Sequence, residues 1–254
     1  MPLRIAFDMD GVLADMESEL VRQAEILFGE SMTRKLEARA DATPPDAATP
    51  TPEPSLSPPD AQASSENAPE NAPPLLKLNM NSRQQKKLWH HVESIENFWE
   101  TLAELEPGVV GRLAALAAER RWEIIFLTKR PESAGATAQV QSQRWLEAKG
   151  FSLPSVYVVQ GSRGRIAAAL ALDVVVDDRP ENCLDIVVDS KARAILVWRE
   201  PENQLPAAAR RLGIGVVNTV GACLDILTEM DRAQPEDTGV MAKVMRLLGL
   251  KEPA

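Results

Sequence analysis

Nine residues near the start of the chain, FDMDGVLAD (7–15), carry three carboxylates: Asp8, Asp10 and Asp15. Like charges so close together are costly unless a cation or a shared proton compensates them. A set of oxygen donors is what a hard divalent cation such as Mg²⁺ accepts. The largely apolar lead-in, Leu3 to Phe7, reads as a buried strand, and Gly11 supplies a turn just after it. The acids therefore sit at a strand's carboxyl end, the edge where open parallel sheets bind ligands. A lone D-x-D is more often a solvated acidic turn, so the decision rests on the rest of the chain.

Three later strand ends are polar in the same way. FLTKRP places Thr128, Lys129 and Arg130 after an apolar run; VVQGSRGRI places Ser162, Arg163 and Arg165 at a helix start; VVVDDRPEN places Asp177, Asp178 and Asn182 after another run. Acids from two strand ends can hold Mg²⁺. A hydroxyl, backbone N–H groups and a guanidinium can hold a phosphoryl group. Asp8 is then placed to act as a nucleophile, as carboxylates can.

Hydrophobic periodicity gives the elements that must position these groups. Residues 18–39 have a helical pattern (Leu20, Ala24, Leu27), and residues 82–105 have another (Leu88, Val92, Ile95, Phe98, Leu102), opened by a capping box at Ser82 and Gln85. Between them, residues 42–76 are mostly Ala, Pro, Ser, Thr, Glu and Asn, too polar to fold, and read as a disordered loop. From Pro107, which favours a helix's first turn, helices alternate with short apolar runs. The helices cover about 107–119, 136–149, 163–172, 181–188, 207–212, 221–230 and 240–248; the strands cover 123–127, 155–159, 173–177, 192–198 and the stretch GVVN. Strands separated by helical crossovers imply a three-layer, Rossmann-like α/β fold with a parallel sheet. The expected organisation is a catalytic core at 1–15 and 106–232, a small helical insertion at 16–105 directly after the first strand, and an amphipathic C-terminal helix at 233–254.

With 254 residues, 44% of them hydrophobic, the chain can bury a sizeable core. A net charge of −9 argues against polymeric nucleic acid as a partner, since phosphate backbones attract basic surfaces. The amino terminus has no leader-like pattern, and no run approaches the ~18 apolar residues of a membrane span, so a cytoplasmic protein without membrane contact is expected. Cys183 and Cys223 fit neither a zinc pattern nor a disulfide framework and read as buried thiols.

The four motifs, in this order, resemble those of the haloacid dehalogenase (HAD) superfamily of phosphotransferases, over residues 1 to about 200. DMDGVLAD and DDRPEN, with a helical cap inserted after the first motif, are similar to the 5′(3′)-deoxyribonucleotidase branch. The resemblance implies that Asp8 is the phosphate-accepting nucleophile and Asp10 the general acid/base, with the Asp10 carbonyl also binding Mg²⁺. It implies a metal ligand at Asp177, with Asp178 either orienting metal-bound water or taking that ligand role. Thr128 and the Lys129 amide correspond to the second-motif phosphate binders. The third motif normally has lysine; here Arg163 or Arg165 takes its place, Arg163 being preferred because its charge and the helix amides converge on an anion. The reaction implied is Mg²⁺-dependent hydrolysis of a small phosphorylated metabolite, a nucleoside monophosphate foremost, through an aspartyl-phosphate. A sugar phosphate or other small ester, and a catalytically silent binding scaffold, are the alternatives; a homodimer is compatible with either.

Several residues have blander readings. Lys129 and Arg130 suit solvated or salt-bridged positions, Asn182 either orients an acid or belongs to a helix's first turn, and Asp15 suits a hinge contact. Trp89, His90, His91, Phe98 and Trp99 could stack on a nucleobase, although aromatics at helical spacing are usually packing. Trp145 and Trp198 read as core.

Overall fold

The structure, a computed structural model, describes residues 2–29 and 80–232. The expected loop at 42–76 and the expected helix at 233–254 lie outside these residues. Strand β1 (Arg4–Asp8) leads through a tight turn into α1 (Met16–Phe28), and α2 (Ser82–Ser94) and a 3₁₀ turn (Phe98–Glu100) bring the chain back. There follow α3 (Val109–Arg120), β2 (Glu123–Thr128), α4 (Ala138–Ala148), β3 (Ser155–Val158), α5 (Arg163–Ala169), β4 (Val174–Asp177) and α6 (Pro180–Asp189). Strand β5 (Arg193–Val197), α7 (Ala207–Arg211), β6 (Gly215–Val217) and α8 (Val220–Arg232) complete the described chain. No described helix is long and apolar enough to cross a membrane.

The six strands form one sheet in the order β3-β2-β1-β4-β5-β6, every pair parallel. This is the α/β fold expected from the alternation of elements. Because successive strand residues face opposite sides, Ile5, Phe7, Phe126, Val176 and Ile195 join one apolar cluster while Ala6, Leu127, Val175 and Leu196 join another. Residues of α3, α4 and α8 pack in the first cluster, and residues of α5, α6 and α7 in the second. The strand order reverses between β1 and β4, so the crevice at their carboxyl ends is the topological switch point. Asp8 ends β1 and Asp177 ends β4.

Local chemistry moves several boundaries. The α2 capping box is made by Asn81 and Gln84, one residue earlier than expected: the Asn81 side chain accepts from the Gln84 amide at 2.9 Å, and the Gln84 side chain accepts from the Asn81 amide at 3.0 Å. Helix α2 stops at Ser94 because Asn97 adopts a left-handed conformation (φ 53°) and ties to the loop after β2. There the Asn97 amide donates to the Ala134 carbonyl at 2.7 Å, and its side chain accepts from the Ala136 amide at 3.0 Å. Helix α3 starts at Val109 rather than Pro107. The Glu104 carboxylate accepts from the Gly108 and Val110 amides and so caps this end in place of a local side chain.

The position of α5 depends on one glycine. A side chain at Gly164 would run into the backbone carbonyl of Asp185 and the Cβ of Asp189, so only glycine lets α5 lie this close to α6. The Asp185 carboxylate fixes the contact by accepting from the Gly164 amide (2.9 Å) and the Ser162 hydroxyl (2.8 Å). Gly164→Ala, which would ordinarily favour a helix, is expected to lower the unfolding free energy by about 1–3 kcal/mol through overpacking. A lower denaturant midpoint than wild type checks this.

Candidate active site

Four carboxylates gather at the switch point. Asp8 and Asp177 are buried at adjacent strand ends, and Asp10 and Asp178 stand on the turns that follow. Gly11 makes the gathering sterically feasible. Its φ is +83°, and a side chain there would strike the Asp178 carboxylate. The turn is drawn tight by Leu13 and Ala14 amides donating to the Met9 carbonyl, both at 2.8 Å. It is tied to the returning chain by the Asp15 amide on the Ala103 carbonyl (2.9 Å) and the Leu105 amide on the Leu13 carbonyl (2.9 Å).

Two buried arginines answer these acids. Arg163 Nη2 donates to Asp8 Oδ1 at 2.5 Å, its Nε lies 3.9 Å from Asp177 Oδ2, and its Nη1 is buried with no hydrogen-bond partner. Arg130 meets Asp10 fork-on: Nε lies 3.1 and 3.0 Å from Oδ1 and Oδ2, and Nη2 lies 2.6 Å from Oδ1. Thr128 Oγ1 adds a donor to Asp10 Oδ2 at 3.0 Å. Asn182 donates to both oxygens of Asp177 at 3.0 Å, and the Arg179 amide donates to Oδ1 at 2.9 Å.

The electrostatics follow from burial and crowding. Burial pushes the Asp8 carboxyl well above the usual range against the pull of Arg163, and Asp177, Asp178 and Asp10 add to the rise. Asp177 is raised by burial, with Arg163, the Arg179 amide and Asn182 opposing. Asp178 is pushed from an ordinary 3.8 to about 7, by burial first and by Asp177 second. Cys183, buried nearby, is raised by burial and then by the same acids, which makes it an inert thiol rather than a nucleophile.

Asp8, Asp10, Thr128, Arg163, Asp177 and Asp178 thus come together. Arg165 does not: it points outward, its side chain 85% exposed and 3.8 Å from Asp189, two positions along the helix from the inward-turned Arg163 and so on another face. Lys129 is half-buried on the turn after Thr128. Asp15 caps α1 by accepting from the Ser18 amide at 3.0 Å. Trp89, Phe98 and Trp99 are buried in the larger apolar cluster, His91 Nε2 pairs with Gln23 Oε1 at 3.0 Å, and His90 is exposed. Trp145 is core, whereas Trp198 is only half-buried.

Two residues that matter escaped sequence reasoning. Arg130 reads as solvated or salt-bridged; it is salt-bridged, but to Asp10 inside the site and at 1% exposure. Arg199, just after β5, donates to the Gly11 carbonyl (2.5 Å) and the Val12 carbonyl (3.3 Å) and pairs with Glu106 at 3.0 Å. Glu106 also accepts from the Val220 and Gly221 amides, so the turn after β1 is braced from β5 and α8. The signal for both was the one already used elsewhere: a polar residue directly after a buried strand.

The donor set suits a hard cation. Asp8, Asp10, Asp177 and Asp178 offer oxygen ligands, with Arg163 and Arg130 paired to Asp8 and Asp10 and the charge of Arg179 acting on Asp177 and Asp178. Asp10 can contribute only its backbone carbonyl, its carboxylate being engaged by Arg130; although four carboxylates gather, among the described residues no three His, Cys, Asp or Glu side chains are placed to share one metal ion.

No protein-family model matches the chain, and no curated protein matches it significantly. Solved structures do. A structure from Thermotoga maritima described as a β-phosphoglucomutase is 19% identical, with 89% of this chain and 99% of that one covered and a TM-score of 0.51. A HAD-family hydrolase from Deinococcus radiodurans, crystallised with bound phosphate and sodium, is 15% identical, with 91% and 96% covered and a TM-score of 0.50. The chain therefore has the fold of HAD-family hydrolases.

Because the Asp178 carboxyl is raised from 3.8 to about 7, the native state holds that proton more tightly than the unfolded chain. Its contribution to stability is complete below about pH 4 and is lost as pH rises through about 7. Asp178→Asn keeps the neutral form throughout. Without added metal, thermal melts should find this variant more stable than wild type at pH 8, the gap closing by pH 4.

Proposed function

We propose that this protein is a Mg²⁺-dependent phosphomonoesterase that works through a phosphorylated Asp8. The observation that carries the reading is Arg163: one Nη on the Asp8 carboxylate and the other buried without a partner among the described residues. A buried guanidinium donor is expensive to leave unsatisfied, and a phosphoryl oxygen arriving beside Asp8 would satisfy it. Arginine recognises such oxygens readily.

In the first step an Asp8 oxygen attacks phosphorus, the P–O bond to the leaving group breaks, and Asp10 gives that oxygen its proton. In the second, water attacks phosphorus, the bond to Asp8 breaks, and Asp10 takes the proton of the water. Lys129 and Arg163 would hold the non-bridging oxygens, and Thr128 would join them only by turning its one hydroxyl proton away from Asp10 Oδ2. Asp8, the Asp10 carbonyl and Asp177 or Asp178 would hold Mg²⁺. When bound, the ion supplies charge neutralisation to the transferring group. A proton-donating partner at Asp10 suits an alcohol leaving group, which is why ester hydrolysis is preferred to dehalogenation.

In this reading the insertion at 16–105 is a cap on a core formed by 1–15 and 106–232, and the backbone ties between Leu13–Asp15 and Ala103–Leu105, where the insertion leaves and returns, support that division. The motif resemblance favours nucleoside monophosphates as substrates. One specific observation favours sugar phosphates or other base-free metabolites instead: of the five residues that could stack on a base, the three largest, Trp89, Phe98 and Trp99, are 0–4% exposed, leaving only His90 exposed and His91 half-buried. The name of the Thermotoga structure points toward the same class.

A panel of sugar phosphates, nucleoside monophosphates and other small esters, assayed with Mg²⁺ and with chelator, tests this. Wild type should turn over base-free esters in a Mg²⁺-dependent way, and Asp8→Asn should lose at least about 10³-fold, the scale on which removal of a covalent nucleophile acts. Equal inactivity of wild type and Asp8→Asn on every ester would favour the scaffold reading and sink the mechanism.

A further inference from the structure

Resting on the phosphatase reading, we infer that Arg130, locked in place by Ser142 and Trp99, is the positioning residue that holds the Asp10 carboxylate for proton transfer. A general acid/base must lie within hydrogen-bond reach of the proton it moves, and misplacement by ~1 Å can cost about 10²-fold. Asp10 stands on a turn and would otherwise choose among several rotamers. Arg130 removes that choice through three contacts of 2.6–3.1 Å to its two oxygens, with Thr128 Oγ1 as a further anchor on Oδ2. The planar fork of arginine imposes an orientation that a lysine ammonium cannot.

Arg130 is itself held on the side away from Asp10. Its Nη1 donates to Ser142 Oγ at 2.8 Å, and Ser142 Oγ donates onward to the Ala138 carbonyl at 2.7 Å, which leaves an oxygen lone pair facing the guanidinium. The guanidinium also lies 5.0 Å from the centre of the Trp99 ring, a cation–π distance. Trp99 is fixed in turn: its indole N–H donates to the Pro131 carbonyl at 3.0 Å, and its amide donates to Gln141 Oε1 at 3.0 Å. The 3₁₀ turn on the returning insertion and helix α4 therefore reach Asp10 through one side chain. A residue that only balanced charge would not need this scaffold, since charge balance tolerates a mobile partner.

Kinetics of the full chain with Mg²⁺ on two esters separate orientation from mere support. p-Nitrophenyl phosphate has a leaving group that departs without a proton, whereas glucose 6-phosphate needs one. General acid–base catalysis contributes about 10²–10⁴-fold. Arg130→Lys should accordingly lower kcat/KM for glucose 6-phosphate by about 10–100-fold and for p-nitrophenyl phosphate by less than about 3-fold. Asp10→Asn should show the same selectivity, and Asp10→Asn/Arg130→Lys should be no slower than Asp10→Asn alone, because residues acting as one unit are not additive. Ser142→Ala, which leaves the ion pair in place, should lose in the same direction by a smaller factor; it decides the matter if Arg130→Lys does not fold. Equal losses on both esters, or losses that multiply in the double variant, would overturn the inference while leaving the phosphatase reading intact. A wild type that turns over neither of these esters nor any other of the panel overturns that reading and this inference with it.

Discussion

Charge compensation in a buried crevice is the constraint on which the rest of the molecule depends. Asp8, Asp10, Asp177 and Asp178 meet where β1 and β4 end, and burial alone would drive Asp8, Asp177 and Asp178 toward neutrality. Arg163 and Arg130 offset part of this, each paired with a different acid. Buried ion pairs are weak evidence for stability, because apolar residues of similar volume often serve as well. Two such pairs, retained side by side at a sheet's switch point, therefore point to chemistry. The unpartnered Nη1 of Arg163 has the same implication: the crevice retains a donor that the fold itself does not use.

Much of the surrounding architecture can be understood as delivering those charges. Gly11 lets Asp178 come over the first turn, and Gly164 lets α5 approach α6 so that Arg163 reaches Asp8. Arg199 and Glu106 hold the carbonyls of Gly11 and Val12 from the opposite half of the sheet. Each of these supports fixes backbone from which an acid or a base projects. The aromatic pair Phe98 and Trp99, packed edge to face at 4.9 Å, carries Arg130 in the same manner.

The sequence made the sheet and the acid cluster legible because both are written in short-range code. Five-residue apolar runs separated by helical periods require crossovers, and a polar residue at each strand end then falls on one edge without any knowledge of distances. Tertiary partnering was hidden. Nothing local distinguishes Arg130 from Arg165, one buried on an acid and the other exposed, since the difference lies in Ser142 and Trp99, 12 and 31 residues away. The end of α2 was misplaced for the same reason: Asn97 obeys a loop 37 residues further on instead of its own helical pattern. Glu104 likewise caps α3 from outside the segment in which a capping residue would be sought.

The fate of the aromatics bears on how selectivity can arise. A helical insertion beside a phosphate site would be expected to offer its large side chains to the substrate, but here Leu88, Trp89, Val92, Phe98 and Trp99 are consumed in joining the insertion to the sheet's apolar layer. Burial of that surface, at roughly 25 cal/mol per Å², together with the ties from Asn97 to Ala134 and Ala136, fastens the returning half of the insertion to the loop that bears Arg130. On the proposed phosphatase reading, selectivity built on such a base would draw on polar groups around the crevice more than on these buried aromatics. Polar groups discriminate by leaving unmatched partners unsatisfied, which suits hydroxyl-rich esters better than flat bases. The packing that holds Arg130 on Asp10 and the packing that buries the insertion's large aromatics are therefore one, centred on Trp99.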